Sequence, residues 1–299
     1  MSERVPHSDL SRVSTNGIEI AYDTFGDPHD RPIVLNAGWG GQLISWDEGF
    51  CEQVAQRGFW VIRYDYRDVG MSTILDELGV PDVGQLQQAI SRGESVQAPY
   101  TMHDMAMDLI GLLEALAIES AHLVGWSMGT GIASLVAIHH PQKVQTMILM
   151  GASTDDPELP PPPPEIISVL LKPSPPDREG YIDSSIEKAR ALQGEGLPFD
   201  EDWARAKAGR VFDRGLYPDG RARQLAANIA TRSLKEEMKT ISAPTLIIFG
   251  QEDPFGLEHG KDAAETIPGA ELLIVEGMGH SMPPIVWPII VEAISDHAG

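Results

Sequence analysis

The sequence predicts an α/β architecture, a mostly parallel sheet with helices on both faces. Three observations carry that reading. Apolar β-like runs alternate with stretches of helical periodicity, the pattern of a covered parallel sheet. One such run, ending at Trp126, passes through Gly125-Trp126-Ser127-Met128-Gly129 into a helical segment. A proline-rich stretch after Thr154 then interrupts the alternation until about Thr240.

Ile18 to Phe25 and Pro32 to Asn36 read as early strands, separated by the turn Gly26-Asp27-Pro28. Phe59 to Tyr64 is the next apolar run. Thr101 opens a helix, and Asp104 three residues later suits a capping box. Met105, Leu109, Leu112, Leu113 and Leu116 continue it at helical spacing. Ala121 to Trp126, Val144 to Met150, Thr245 to Phe249 and Glu271 to Val275 complete the strands, and a last helix spans about Ile289 to His297. Between Thr154 and Thr240, Pro160 to Pro164 and Pro173 to Pro176 precede helix-like segments at Tyr181 to Gln193, Glu201 to Phe212 and Arg221 to Ile229. This reads as a helical lid, residues 154–240, inserted into a core formed by 1–153 and 241–299. The prolines make a semi-rigid connection; no basic anchor favours a proline-module ligand beside them.

The bulk numbers narrow the function. The 299 residues carry 44 acidic against 22 basic side chains, a formal charge of -22. Nucleic acid and anionic membrane surfaces are poor partners for that balance. The lone Cys51 excludes a disulfide framework. Met1 to His7 shows no apolar leader, and no uncharged run is long enough to span a bilayer, so the chain reads as cytoplasmic. No His, Asp or Glu spacing matches a metal site, so neither metal nor cofactor is expected.

The Gly-x-Ser-x-Gly segment is what a nucleophile elbow requires: a sharp strand-to-helix turn presents the hydroxyl of Ser127, with glycines where a Cβ would collide. A serine needs a base, and the base needs an orienting acid. His280 lies on the loop after the strand ending at Val275, and Asp253 on the loop after Phe249. Both loops leave the carboxyl edge of the sheet, where catalytic groups of parallel sheets gather. Glu252, Asp155 and Asp156 are rival acids, and His259 is a rival base; His139 and His140 read as partners of a helix dipole. The backbone N–H of Met128 is one oxyanion donor. The second comes from Ala37-Gly38-Trp39-Gly40-Gly41, at Trp39, or at Gly38 or Gly40 if the register slips. Trp39, Trp126, Met278 and Met282, with Met128, flank these elements and suit an apolar pocket for a small-molecule ester.

On these residues the chain resembles the α/β-hydrolases with a helical lid, over nearly its whole length. Arg63 to Ser72 is similar to that family's Asp-x-Arg-Gly-x-Gly-x-Ser element, with Asp68 in place of the usual glycine. That departure, Gly196-Leu197-Pro198-Phe199-Asp200, and Ser45-Trp46 with Phe50 resemble a narrower group, the anthracycline (aclacinomycin) methylesterases of polyketide pathways. Asn36-Ala37-Gly38-Trp39 departs from the wider family's His-Gly. The resemblance implies an α/β-hydrolase fold with an eight-stranded, mostly parallel sheet and hydrolysis of a bulky ester, such as the methyl ester of an aromatic polyketide. The same triad also serves lactonases, amidases, carbon–carbon bond hydrolases and perhydrolases, and the fold hosts non-enzymatic receptors. Epoxide hydrolases and dehalogenases carry Asp where this chain has Ser127.

Overall fold

The computed structural model describes residues 5–94 and 96–299. Met1 to Arg4, part of the segment read for a leader, lie outside the described residues.

Eight strands form one sheet in the order β1-β2-β4-β3-β5-β6-β7-β8. In the chain they are β1 (Ser11–Thr15), β2 (Ile18–Phe25), β3 (Arg31–Asn36), β4 (Phe59–Tyr64), β5 (Ala121–Trp126), β6 (Val144–Met150), β7 (Thr245–Gly250) and β8 (Glu271–Val275). β1 and β2 pair antiparallel, as do β2 and β4, and every other neighbouring pair is parallel. β7 is buried at all six positions, so both of its faces are covered and its sequence does not alternate.

The helices are α1 (Glu48–Ala55), α2 (Val83–Ser91), α3 (Met102–Ala115), α4 (Met128–His139), α5 (Pro164–Leu171), α6 (Arg178–Gln193), α7 (Glu201–Asp213), α8 (Pro218–Ala230), α9 (Lys235–Met238), α10 (Leu257–Thr266) and α11 (Trp287–His297). α1 packs with α11, and α3 with α4, against the sheet. Thr101 and Asp104 form the expected reciprocal capping box at α3. The last helix begins two residues earlier than expected, because Pro288 is tolerated in a first turn.

α5 to α9 lie between β6 and β7. This insertion has its own small core of Tyr181, Ile182, Ile186, Ala204 and Ala208. Among the described residues, no helix is long and apolar enough to cross a membrane.

Candidate active site

Ser127 stands between β5 and α4 with φ 51° and ψ -121°, a conformation that L residues rarely adopt. Such backbone strain costs of order 1–3 kcal/mol and persists only where neighbours fix it. Here its N–H donates to the Met150 carbonyl at 2.9 Å, and its own carbonyl accepts from the Thr130 N–H at 2.8 Å and the Thr130 hydroxyl at 2.7 Å. The two glycines are required by close approach. A Cβ on Gly125 would lie 2.6 Å from the Gly129 carbonyl oxygen, and one on Gly129 would lie 2.4 Å from the Asn36 carbonyl oxygen.

Asp253 and His280 meet at the loops that follow β7 and β8, with His280 Nδ1 2.7 Å from Asp253 Oδ2. The carboxylate is acceptor-only, so Nδ1 carries the hydrogen and Nε2 is left as the acceptor. The other Asp253 oxygen accepts the Phe255 N–H at 2.9 Å. The imidazole sits 4.5 Å from the Phe255 ring and 6.5 Å from the Trp126 ring. Gly151 leaves space for it, since a Cβ there would lie 2.7 Å from His280 Cε1. Ser127 occupies the same carboxyl edge of the sheet, one residue past Trp126. Among the described residues no hydrogen bond joins its hydroxyl to His280. Catalytic hydrogen bonds commonly tighten only once substrate is present.

The rival groups are engaged elsewhere. One Glu252 oxygen accepts the N–H groups of Glu195 and Gly196, at 2.8 and 2.7 Å, and so ties the insertion to the Asp253 loop. Asp156 pairs with Lys235 at 2.7 Å. Asp155 follows β6 at φ 53°, its N–H donated to the Ser153 hydroxyl. The His259 ring lies between the Ser153 hydroxyl and the Pro160 carbonyl, at 2.9 and 3.0 Å. His139 ends α4 within 3.7 Å of Glu237.

The loop after β3 abuts the serine turn: a Cβ on Gly38 would lie 3.6 Å from Ser127 Cβ. Its register narrows here. The Gly40 N–H donates to Gln224 Oε1 at 2.9 Å and the Gly41 N–H to the Gly38 carbonyl at 3.0 Å. Among the described residues, the N–H groups of Gly38, Trp39 and Met128 have no partner, whereas that of Gly40 is engaged. Asn36 is buried and structural: its amide donates to the Val124 carbonyl at 3.0 Å and its oxygen accepts the Tyr64 hydroxyl at 2.7 Å.

The segment Arg63 to Asp68 is a row of buried charges, each paired. Arg63 meets Asp23 at 2.7 Å, Arg67 meets Asp108 at 2.7 Å, Asp65 meets Arg214 at 2.9 Å and Asp68 meets Arg223 at 2.7 Å. The last two pairs join the core to α8 and to the residue that caps α7. Asp68 keeps the positive φ, 69°, expected of a glycine site. Sequence reading missed Arg214, Arg223 and Gln224. The only available signal was the excess of buried-type charge in the segment itself, which demands distant partners.

Trp126, Met278 and Met282 line a small cleft beside His280 and Asp253. Trp39 instead lines a larger cavity of about 700 Å³ between the insertion and the core, together with residues of α2, α5, α6, α7 and α8. The pocket residues expected from sequence therefore divide between two spaces, and Met128 lines neither. Ser127 and His280 do not line the larger one. Among the described residues, no cluster of three or more His, Cys, Asp or Glu side chains could hold a metal ion.

The alpha/beta hydrolase fold family matches residues 31–283. Rhodomycin D methylesterase from Streptomyces sp. (strain C5) is 29% identical, covering 95% of this chain and 96% of its own. The rhodomycin D methylesterase of Streptomyces peucetius is also 29% identical, covering 96% and 97%. Among solved structures, the enol-lactonase from Burkholderia xenovorans LB400 superposes with a TM-score of 0.72 at 21% identity, covering 96% of this chain and 99% of that one.

Proposed function

We infer, from the premise that this chain belongs to the alpha/beta hydrolase fold family, that it is a serine carboxylic-ester hydrolase built on Ser127, His280 and Asp253. One observation carries the reading. A histidine is held by a buried carboxylate at 2.7 Å, at the sheet edge where a serine is kept at a strained φ of 51°. Its Nε2 faces no competing partner among the described residues.

In this reading Ser127 Oγ attacks the ester carbonyl carbon as its proton passes to His280 Nε2. Asp253 fixes the tautomer and balances the imidazolium. The N–H groups of Met128 and Trp39 (or Gly38) hold the oxyanion. His280 then protonates the departing alcohol, leaving an acyl group on Ser127. Water, deprotonated by the same imidazole, attacks that acyl carbon and releases the acid. The insertion, residues 154–240, serves as the lid that selects the acyl part. The two relatives are named as methylesterases of rhodomycin D, and the motifs resemble the anthracycline methylesterases, so a methyl ester on a bulky aromatic scaffold is the substrate class we assign.

The test is a panel of methyl, short-chain and aryl esters. An aryl ester should give a burst of phenol and an acyl adduct on Ser127. Ser127→Ala should lower kcat by several orders of magnitude, roughly 10⁴-fold or more, because the triad acts as a unit. Turnover undiminished in Ser127→Ala ends the proposal. Ligand binding without any turnover points to a receptor on the same fold.

A further inference from the structure

The cavity between the insertion and the core carries a charge pattern opposite to that of the chain. The sequence has twice as many acidic as basic side chains, 44 against 22. Yet the cavity wall includes Lys172, Lys188 and Arg221 and no Asp or Glu. The rest of the wall is largely apolar, with Trp39, Phe212, Leu216 and Leu225. Lys172 is neutralised by Glu187 at 2.6 Å. Among the described residues, neither Lys188 nor Arg221 forms an ion pair, although the Glu187 charge acts on Lys188.

The Lys188 ammonium donates to the Lys172 carbonyl and the Ser174 hydroxyl, each at 3.0 Å, and has a third N–H to offer. Arg221 lies with its guanidinium carbon 4.7 Å from the centre of the Trp39 ring. Among the described residues its guanidinium has no hydrogen bond and no carboxylate partner. Burial, and then the charge of Arg221, bring the Lys188 pKa down to about 8, with the Glu187 charge acting the other way. Burial also lowers that of Arg221. Two partly desolvated like charges, neither in an ion pair among the described residues and with the nearby Glu187 already paired to Lys172, are an unfavourable arrangement, and an anion placed between them relieves it. The planar fork of Arg221 suits a carboxylate, which it can meet with two parallel N–H groups.

We propose that this cavity is a carboxylate-selecting subsite, taking a ring-sized apolar body whose carboxylate lies between Lys188 and Arg221. The proposal rests on the ester-hydrolase reading. Trp39 links the two regions, its backbone on the loop beside Ser127 and its indole in the cavity wall. The proposal takes the carboxylate and the ester cleaved at Ser127 to belong to one molecule.

Two probe pairs test it. Monomethyl naphthalene-2,6-dicarboxylate carries a free carboxylate, and its dimethyl ester does not. The parent should favour the monoester in kcat/KM. Lys188→Gln and Arg221→Gln should each lower the monoester-to-diester ratio by about tenfold to a hundredfold, mostly through KM, as expected for loss of one hydrogen bond to a charged group. Lys188→Arg should keep most of the preference, which separates lost charge from a misfolded insertion. Separately, 2-naphthoate and neutral 2-naphthamide are titrated calorimetrically into Ser127→Ala protein. Adding Arg221→Gln should weaken naphthoate at least tenfold and leave naphthamide nearly unchanged. Ser127-dependent cleavage of the diester, with ester ratio and naphthoate affinity both indifferent to the two cations, overturns the subsite and leaves the esterase standing. Naphthoate binding that needs both cations, with neither ester cleaved, supports the subsite as an anion site and sinks the esterase reading.

Discussion

The ion pair between Arg223 and Asp68 offers the sharpest test of how the insertion is held to the core. Both side chains are fully excluded from water. The guanidinium meets the two carboxylate oxygens at 2.7 and 2.8 Å. Arg223→Met keeps the volume and removes the charge. Asp68 then keeps the Leu75 N–H at 2.8 Å and the neighbouring Tyr100 hydroxyl, but no cation to balance its charge. An unpaired buried carboxylate costs about 3–5 kcal/mol. At about 2–4 °C per kcal/mol for domains of this order of size, Tm should fall by about 6–20 °C. The double variant Asp68→Gly/Arg223→Met removes both charges and puts glycine at φ 69°, where glycine is unstrained. It should recover to within about 1–2 kcal/mol of the parent. Urea midpoints and slopes for the parent, both single variants and the double variant supply the cycle. A single variant costing under about 1 kcal/mol, or a double variant equal to the sum of the singles, refutes the coupled buried pair.

Three further outcomes follow from other parts of the molecule. Gly129→Ala places a Cβ against the Asn36 and Ala37 carbonyl oxygens at 2.4 and 2.6 Å, so it should displace the oxyanion loop and lower kcat by roughly 10²-fold; unchanged turnover of an aryl ester removes the close-approach argument. His122 is buried beside Thr146, and burial, helped by the Arg31 charge, lowers its pKa to about 4. Because the folded value lies below the ordinary 6.5, its contribution is complete above pH 6.5 and is lost as pH falls toward 4, about 3 kcal/mol at most. The parent should lose more stability than His122→Asn between pH 7 and 4.5 in urea titrations, and equal losses contradict this. Burial pushes the Cys51 thiol up to about 12, so a thiol reagent at pH 8 should label it only after unfolding; rapid labelling of the native chain speaks against that burial.

How much of this was legible in the sequence depends on where each residue's partner lies. Seven strands were legible, the central buried parallel ones such as β5 and β7 as near-continuous apolar runs, since strands covered on both faces need no alternation. β1 did not: Ser11 to Thr15 contains a single aliphatic residue, Val13, and four of its five positions are exposed or half-exposed. A local signal was present in Asn16-Gly17, whose φ angles of 47° and 80° make a tight hairpin turn into β2. Asp253 and His280 were legible because each follows its strand directly, so strand order alone brings them to one edge. The insertion's contacts carried no such rule. Asp65 bonds to Arg214 across 149 positions and Asp68 to Arg223 across 155. Nothing local to either arginine marks it as buried.

That contrast explains the most conspicuous departure in the motif, Asp68. The site demands a positive φ, which glycine adopts freely and which aspartate tolerates at some cost. Replacing the glycine accepts that strain and places a carboxylate where only an internal cation can satisfy it. Arg223 supplies that cation and also donates to the Gly79 carbonyl at 2.9 Å. Beside it, Gln224 accepts the Gly40 N–H and donates to the Arg67 carbonyl at 2.8 Å. One turn of α8 therefore grips both the Arg63-to-Asp68 segment and the glycine loop beside Ser127. In the proposed mechanism, engaging the Gly40 N–H leaves that of Trp39 or Gly38 for the oxyanion. The residue in the motif that departs from its usual glycine thus belongs to the same mechanical unit as the loop beside Ser127. A change at Arg223 should accordingly be felt in ester turnover as well as in folding.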